Sequence, residues 1–135
     1  MNCIFCRIAK KEIGSEAIVY EDDDLMAFLD LNPVHPGHTL LIPKTHYADL
    51  LETGEKELSR LLSVGNKLAI AIMKAVNAPG FNIHINTKPE AGQVVFHTHL
   101  HILPRFKGDN LKHWQGSPAD AEKRKEVAEK IKTNL

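Results

Sequence analysis

Hydrophobic and polar positions along this chain alternate in a way that predicts a small antiparallel sheet and one long helix. Alternating or continuous apolar runs, bounded by Pro, Gly and acidic residues, predict five strands, over 17–20, 25–31, 38–42, 81–86 and from Val95 to Pro104. Apolar residues at three- and four-residue intervals from Leu58 to Val76 predict a helix that is capped by Thr53 and ends before Pro79. Residues 18–31 are expected to form a hairpin. Strands joined by short turns, without regular alternation of strand and helix, indicate an α+β fold with an antiparallel sheet.

Shorter helices are predicted near both ends of the chain. Residues 3–11 are expected to form a short helical turn. Ser117 as a capping residue, followed by Pro118, predicts a charged helix over about 118–132 with only a few apolar residues to dock it. With no repeat or linker in between, we expect a single domain over 1–135.

Composition narrows the possible partners. The 135 residues include 17 basic and 17 acidic residues, so the formal net charge is zero and no bulk electrostatic field attracts nucleic acid or an anionic membrane. No apolar run reaches the roughly 18 residues that a membrane span needs, and the opening residues contain no long apolar segment for export. We therefore expect a cytoplasmic protein that holds any anionic ligand by local geometry.

His97, His99 and His101 stand at alternate positions of the last predicted strand. Successive side chains of a strand point to opposite faces, so the three imidazoles share one face, while Thr98, Leu100 and Ile102 occupy the other. A packing role would favour Val, Ile or Phe at these positions. Because neutral imidazole is a nucleophile, a proton carrier and a metal ligand, a nucleophilic site and a metal site are the two hypotheses.

Two further clusters carry possible chemistry. Cys3 and Cys6 form a C-x-x-C pair, which in a reducing compartment binds metal or does redox chemistry more often than it forms a structural disulfide. Four acidic residues at 21–24 could bind a metal, but we favour a solvated turn at the end of a strand. The pair alone does not decide between metal and redox chemistry, although no strand precedes it as in a thioredoxin-like fold.

Three stretches together resemble the histidine triad family of nucleotide-binding enzymes. The first is PEAGQVVFHTHLHILPR over 89–105, the second is Asp30 followed by PGHTLLIPK over 36–44, and the third is CIFCRI over 3–8. The resemblance covers everything except the C-terminal helix. It implies the family's five-stranded antiparallel sheet with helices, and a homodimer.

The resemblance also implies a reaction. His99 would attack the α-phosphorus of a purine nucleotide, forming a covalent nucleotidyl-histidine that water hydrolyses to a nucleoside monophosphate. Its other ring nitrogen would donate to a backbone carbonyl near His97, the first histidine of the triad. His97 and His101 complete the catalytic set. His101 would donate a hydrogen bond to the phosphate and leaving group.

Four more residues match family positions that bind the substrate or support the imidazoles. Gln93 would donate to the phosphate oxygens, His38 would support the catalytic imidazoles from the neighbouring strand, Asp30 would hold the ribose hydroxyls, and Asn86 would contact the phosphate. Without the triad, Asp30 would be interpreted as a strand-end carboxylate and Asn86 as a turn former. His84 faces the same side as Asn82 and Asn86 and so could approach the ligand, but we favour a sheet-surface histidine.

Within the family, metal-bearing members complete a Cys-x-x-Cys pair with two histidines. The matching positions here are His46 and His97, so the resemblance implies a structural zinc held by Cys3, Cys6, His46 and His97. Four thiolate and imidazole ligands leave no coordination position for a reactive water.

One position does not decide the identity of the leaving group. Val94 stands where phosphoramidate-cleaving members carry a hydroxyl, whereas the residues around it lean toward members that split dinucleoside polyphosphates. An alternative from another class is a zinc-stabilised nucleotide-binding module with little turnover that acts through a protein partner.

Overall fold

Five antiparallel strands form the sheet, which confirms the predicted α+β class. The computed structural model describes residues 2–135. The strands are β1 (Ile18–Glu21), β2 (Leu25–Leu29), β3 (Thr39–Pro43), β4 (Gly80–His84) and β5 (Leu100–Arg105). Their spatial order is β1-β2-β3-β5-β4, and every neighbouring pair is antiparallel. β1 and β2 form the expected hairpin.

The α-helices are α1 (Ile4–Ala9), α2 (Glu55–Val76) and α3 (Ala121–Thr133), and the first two cover opposite faces of the sheet. On one face α2 packs against β2, β3 and β5 through a buried cluster that includes Leu41, Leu61 and Leu100. On the other face Phe5 and Ile8 of α1 pack on β2 and β3. Among the described residues, no helix combines the length and apolar character needed to cross a bilayer.

Both predicted helix caps are wrong. Gly54, without any side-chain bond, precedes α2, because the Thr53 hydroxyl instead donates to the Asp49 carbonyl and bonds Thr98. Asp120 rather than Ser117 caps α3 by accepting from the Lys123 N–H, so α3 begins three residues later than predicted. The few apolar residues of α3 do not dock it, since the whole helix is exposed.

The strand that carries the triad is shorter than predicted. β5 begins at Leu100, so His97, at the end of a bend over 95–97, and His99 both lie before the strand. Pro104 does not end the strand but pairs with Phe81 of β4. It can do so because β3 pairs with β5 only over 100–102, and a residue without an N–H is tolerated where a strand has a partner on one side only.

Candidate active site and metal cluster

Sheet order brings four polar side chains, from within or directly beside four strands, into one row. Asp30 directly follows β2, His38 directly precedes β3, His101 is on β5 and His84 is on β4. Because the strands run in the order β2-β3-β5-β4, His101 lies between His38 and His84. His84 is the direct cross-strand partner of His101, and the two rings stack with centroids 4.4 Å apart and 9° between their planes.

The triad side chains share the face opposite α2, as their alternation predicts. The ring of Phe5 contacts His97 and His99 edge-on, with centroid distances of 5.9 and 5.1 Å. Thr98 points the other way to Thr53, while Leu100 and Ile102 join the cluster under α2. The contacts of Thr98, Leu100 and Ile102 therefore fix the positions of the triad histidines that alternate with them.

His99 is oriented by a main-chain acceptor. Its Nδ1–H donates to the carbonyl oxygen of His97 over 2.7 Å, the kind of acceptor that the family resemblance implies. The side chain is buried, with 6% exposure, and burial lowers the pKa of His99 below its ordinary value. A neutral ring with its proton on Nδ1 leaves the Nε2 lone pair free to attack.

A hydrogen-bond chain gives His101 the opposite tautomer. The N–H of Val34 donates to Nδ1 of His38 over 3.2 Å, so the proton of the neutral His38 ring is on Nε2. This Nε2–H then donates to Nδ1 of His101 over 3.0 Å. Burial, together with the neighbouring histidines, lowers the pKa of His101 to about 3. His101 is thus a neutral ring that presents Nε2–H as a donor.

Asp30 lies at the other end of this chain. One carboxylate oxygen accepts from the Asn32 N–H over 2.8 Å, and the other is 3.7 Å from Nε2 of His38. The side chain remains 19% exposed. A carboxylate that is held in place yet open to solvent has acceptor capacity left for hydroxyl groups.

Gln93 and Asn86 hold the loop between β4 and β5. Both amide hydrogens of Gln93 are used by main-chain carbonyls, at 2.7 Å to Ala48 and 3.2 Å to Val95, and its oxygen accepts from the Lys88 N–H. The Asn86 amide donates to the Gly92 carbonyl over 3.3 Å. In this structure Gln93 therefore acts on the loop, and donation to a phosphate requires it to give up one of these bonds.

Cys3, Cys6, His46 and His97 form a second cluster whose four ligand atoms lie within 4.8 Å of one another. The two imidazole Nδ1 atoms are 3.2 Å apart, and the sulfur-to-nitrogen distances are 3.5 Å for Cys3 to His97, 3.3 Å for Cys6 to His46 and 3.5 Å for Cys6 to His97. A tetrahedral zinc with ordinary bond lengths gives ligand separations of about 3.3 Å for two nitrogens and about 3.6 Å for sulfur and nitrogen. The residues present therefore fit a tetrahedral metal.

The tautomer of His97 supports this fit. Its Nε2–H donates to the Pro43 carbonyl over 2.8 Å, which leaves the Nδ1 lone pair directed at the two cysteines. Burial lowers the pKa of His97 to about 4, so the ring is neutral, as a metal ligand must be. Geometry places Cys3 and Cys6 in a Cys/His cluster, which favours the metal hypothesis over the redox hypothesis.

The acidic run at 21–24 forms a turn, as we favoured. The Asp22 carboxylate accepts from the N–H groups of Asp24 and Leu25 and pairs with Arg60. These donors hold the pKa of Asp22 well below its usual range, with the Arg60 hydrogen bond as the largest cause.

Two features of the site were missed by sequence reasoning. His84 was interpreted as a surface histidine, although its place on the same face as Asn82 and Asn86 was recognised and is what brings it to His101. Arg105 makes a two-fold hydrogen bond to Asp109, whose side chain is only 6% exposed. No signal in the sequence marks Asp109, because nothing in its surroundings distinguishes it from a surface turn.

The fold and the triad define the class of protein as an α+β domain with clustered histidines on one face of its sheet, and comparison with known proteins identifies the family. A family model described as "HIT domain" matches residues 10–108. This chain belongs to the HIT, or histidine triad, family. A HIT-like protein of Borreliella burgdorferi is 44% identical over 99% of this chain and 99% of its own length.

Two other relatives have informative names. A protein of Arabidopsis thaliana named adenylylsulfatase HINT3 is 42% identical over 82% of this chain and 55% of its own length. The crystal structure of a zinc-bound histidine triad family protein from Mycobacterium smegmatis superimposes with a TM-score of 0.78 at 35% identity, covering 100% of this chain and 99% of that one. These likenesses agree with the fold described above.

Proposed function

We propose that this protein hydrolyses a purine nucleotide at the α-phosphorus through a covalent nucleotidyl-histidine at His99. The observation that carries the proposal is the pair of opposite tautomers. His99 offers a free Nε2 lone pair, whereas His101 offers an Nε2–H, and the centroids of the two rings are 4.9 Å apart. A nucleophile beside a hydrogen-bond donor, which can stabilise charge that develops on the phosphate and the leaving group, suits displacement at phosphorus.

In the first step, Nε2 of His99 forms a bond to the α-phosphorus while the bond from phosphorus to the leaving group breaks. The leaving group departs with the electron pair, accepts a hydrogen bond from the Nε2–H of His101 and takes its proton from solvent. In the second step, water attacks the phosphorus and releases a proton to solvent while the bond to His99 breaks, and the Nε2–H of His101 donates to a phosphate oxygen. The product is a nucleoside monophosphate, and both histidines return to their starting states.

The surrounding residues would hold the nucleotide. Asp30, with its open carboxylate, would accept from the ribose hydroxyls. Asn86 would contact the phosphate, and Gln93 would do so if the substrate displaced one of its carbonyl partners. The named activity of the adenylylsulfatase relative supports hydrolysis of a nucleotide by this family.

A turnover panel tests this function. Purified protein is offered adenosine phosphoramidate, diadenosine polyphosphates and the guanosine equivalents, and release of nucleoside monophosphate is followed. Turnover of at least one substrate, lost in His99→Ala, is expected. Measurable nucleotide binding without turnover of any of them would instead favour the nucleotide-binding module acting through a protein partner.

We further propose that the Cys/His cluster binds one structural zinc. The fit to tetrahedral geometry and the zinc-bound relative support this. Zinc would tie the start of α1 to His46 and to His97, two residues before His99, and with all four positions filled it would activate no water. Metal analysis of protein purified without a polyhistidine tag should give about one zinc per chain, lost with thermal stability in Cys6→Ser. Metal-free protein of unchanged stability would contradict the site.

The homodimer and the cytoplasmic location also stay predictions. A lone helix of α3's length is marginal in water, and every residue of α3 is exposed in the single chain. Sedimentation equilibrium of the whole protein tests the dimer, and a mass of one chain would contradict it.

A further inference from the structure

The loop between β2 and β3 supplies the main-chain donor on which the tautomers of the site depend. The N–H of Val34 donates to Nδ1 of His38 over 3.2 Å. Without this donor, a neutral His38 could carry its proton on Nδ1, and its Nε2 would then accept from an Nδ1–H of His101. That reversal would take the proton away from Nε2 of His101. The position of Val34 therefore decides whether His101 presents a donor to the substrate.

His35 ties the outer part of this loop to the rest of the protein. Residues 31–34 and Pro36 are exposed, whereas the His35 side chain is only 18% exposed. Its ring contacts Phe106 edge-on, with centroids 5.3 Å apart and 88° between the planes. Its Nε2 lies 3.3 Å from a carboxylate oxygen of Asp109. His35 thus anchors a loop whose other outer residues are exposed.

Asp109 is a fixed acceptor for this anchor. Its carboxylate accepts from Arg105 at 2.7 and 3.0 Å and from the N–H groups of Phe106 and Leu111 at 3.1 Å each. These donors, above all Arg105, hold the pKa of Asp109 well below its usual range, so the carboxylate is ionised. Because an ionised carboxylate only accepts hydrogen bonds, Nε2 of His35 must carry the proton and donate it to Asp109.

Two prolines make the outer part of the loop stiff enough to pass the position of His35 on to Val34. Pro33 and Pro36 flank these two residues. Each proline ring fixes φ near about −65°, and His35, which precedes a proline, is restricted to extended conformations. The His35 carbonyl also accepts from the His38 N–H over 3.0 Å. Since few main-chain torsions stay free here, a displaced His35 carries the adjacent Val34 N–H with it.

The inner ends of the loop are held by other contacts. The Asp30 N–H donates to the His38 carbonyl over 2.9 Å. Gly37, at φ +94°, lies so close to α2 that a Cβ there would be 3.1 Å from Val76. Neither contact involves His35. Loss of the His35 anchor should therefore disturb the tautomers and leave Asp30 in place.

We propose that His35, held by Asp109, is a positioning residue of the reaction, which fixes the Val34 N–H and through it the proton on Nε2 of His101. His35 touches neither the substrate nor the reacting atoms. The proposal rests on the proposed function, since that function gives the Nε2–H of His101 its task.

Three substitutions of His35 separate its hydrogen bond from its packing. His35→Gln keeps an N–H donor at about the place of Nε2. His35→Asn keeps an amide that is too short to reach Asp109, and His35→Leu removes the donor but keeps an apolar side chain against Phe106. His113→Leu is the matched control, because His113 is an exposed histidine of the neighbouring segment.

The first measurement is the tautomer of His101, read from ring-nitrogen NMR spectra of histidine-labelled protein without substrate. The His101 signals are assigned by their loss in His101→Asn. Wild-type protein, His35→Gln and His113→Leu should show the proton on Nε2. His35→Leu and His35→Asn should show a share of His101 with the proton on Nδ1.

The second measurement is kcat on two substrates with the same nucleotide. Adenosine phosphoramidate has a poor leaving group that depends on the His101 donor, whereas an adenylyl ester of 4-nitrophenol releases a stable anion. His35→Leu and His35→Asn should lower kcat about three- to tenfold for the phosphoramidate, within the range of one ordinary hydrogen bond, and less than about twofold for the ester. AMP affinity should change less than about twofold, because Asp30 is held separately.

An unchanged His101 tautomer in His35→Leu would overturn the positioning role, and so would a His35→Gln variant that behaves like His35→Leu. The NMR measurement needs no turnover, so it decides the role of His35 even if the proposed hydrolase fails on every substrate. A shifted tautomer with equal kcat losses on both substrates would support the positioning role and contradict the use of His101 as a donor to the leaving group.

Discussion

His38 controls which nitrogen of His101 carries the proton, so replacing it should weaken the hydrogen bond that His101 donates to the departing group. His38→Leu removes the donor 3.0 Å from Nδ1 of His101 in a site where His38 is only 5% exposed. A buried acceptor left without its partner costs about 1 to 3 kcal/mol. Without His38, this free energy no longer stabilises the tautomer of His101 that carries the proton on Nε2. Since 1.36 kcal/mol corresponds to a tenfold change in rate, kcat should fall by about 5- to 150-fold.

The assay compares two leaving groups on the same nucleotide. An adenylyl ester of 4-nitrophenol releases a stable anion that needs little hydrogen-bond support, whereas adenosine phosphoramidate carries a poor leaving group that depends on it. His38→Leu should reduce kcat for the phosphoramidate by the factor above and for the ester less than about twofold. His38→Gln, whose amide can still donate to His101, should retain most of the activity. An equal loss on both substrates would refute the tautomer role and make His38 a packing residue.

Other perturbations test the supports of the site. Phe5→Ala should lower the free energy of unfolding by about 3 to 5 kcal/mol, because the buried Phe5 ring packs on Phe28, His97 and His99. Chemical denaturation measures this loss, and Phe5→Leu should show less than half of it. Hydrogen bonds, above all from Arg105, hold the pKa of Asp109 well below its usual range, so its contribution to stability is complete above the unfolded value near pH 4 and is lost as the pH falls further. Unfolding of Asp109→Asn should therefore show a deficit at pH 7 that narrows toward pH 3, and a pH-independent deficit would contradict the ion pair. Asp30→Ala should weaken a ribonucleotide much more than its 2′,3′-dideoxy analogue in calorimetric titration, and equal weakening would make Asp30 structural.

Period-two alternation accounts for the part of the site that could be predicted. It puts His97, His99 and His101 on one face because Leu100 and Ile102 must be buried under α2. The same rule places His84 on the face of Asn82 and Asn86, but only the pairing of β4 with β5 shows that it meets His101. Register between distant strands is a tertiary property that alternation within one strand does not contain.

Local signals failed where tertiary bonds compete for the same atoms. The Thr53 hydroxyl suits a helix cap, yet it is used by Asp49 and Thr98. Gln93 matches a phosphate-binding position, and its amide donates to the carbonyls of Ala48 and Val95, so its contact with phosphate stays a prediction. The tautomers of His99 and His101 could not be predicted from the sequence either, because they depend on the hydrogen-bond partner that each ring nitrogen meets in the folded chain.

The most direct test of the account is capture of the covalent intermediate. Protein is mixed with a substrate labelled at the α-phosphorus, quenched in alkali within the first turnovers, digested and analysed by mass spectrometry. A nucleotidyl group on His99 is expected, stable in alkali and lost in acid as a phosphoramidate is, and His99→Phe should show neither the adduct nor turnover. Steady turnover by the wild-type protein with no adduct at His99, or a His99→Phe variant that keeps more than about a tenth of the wild-type rate, would contradict the nucleophilic role of His99.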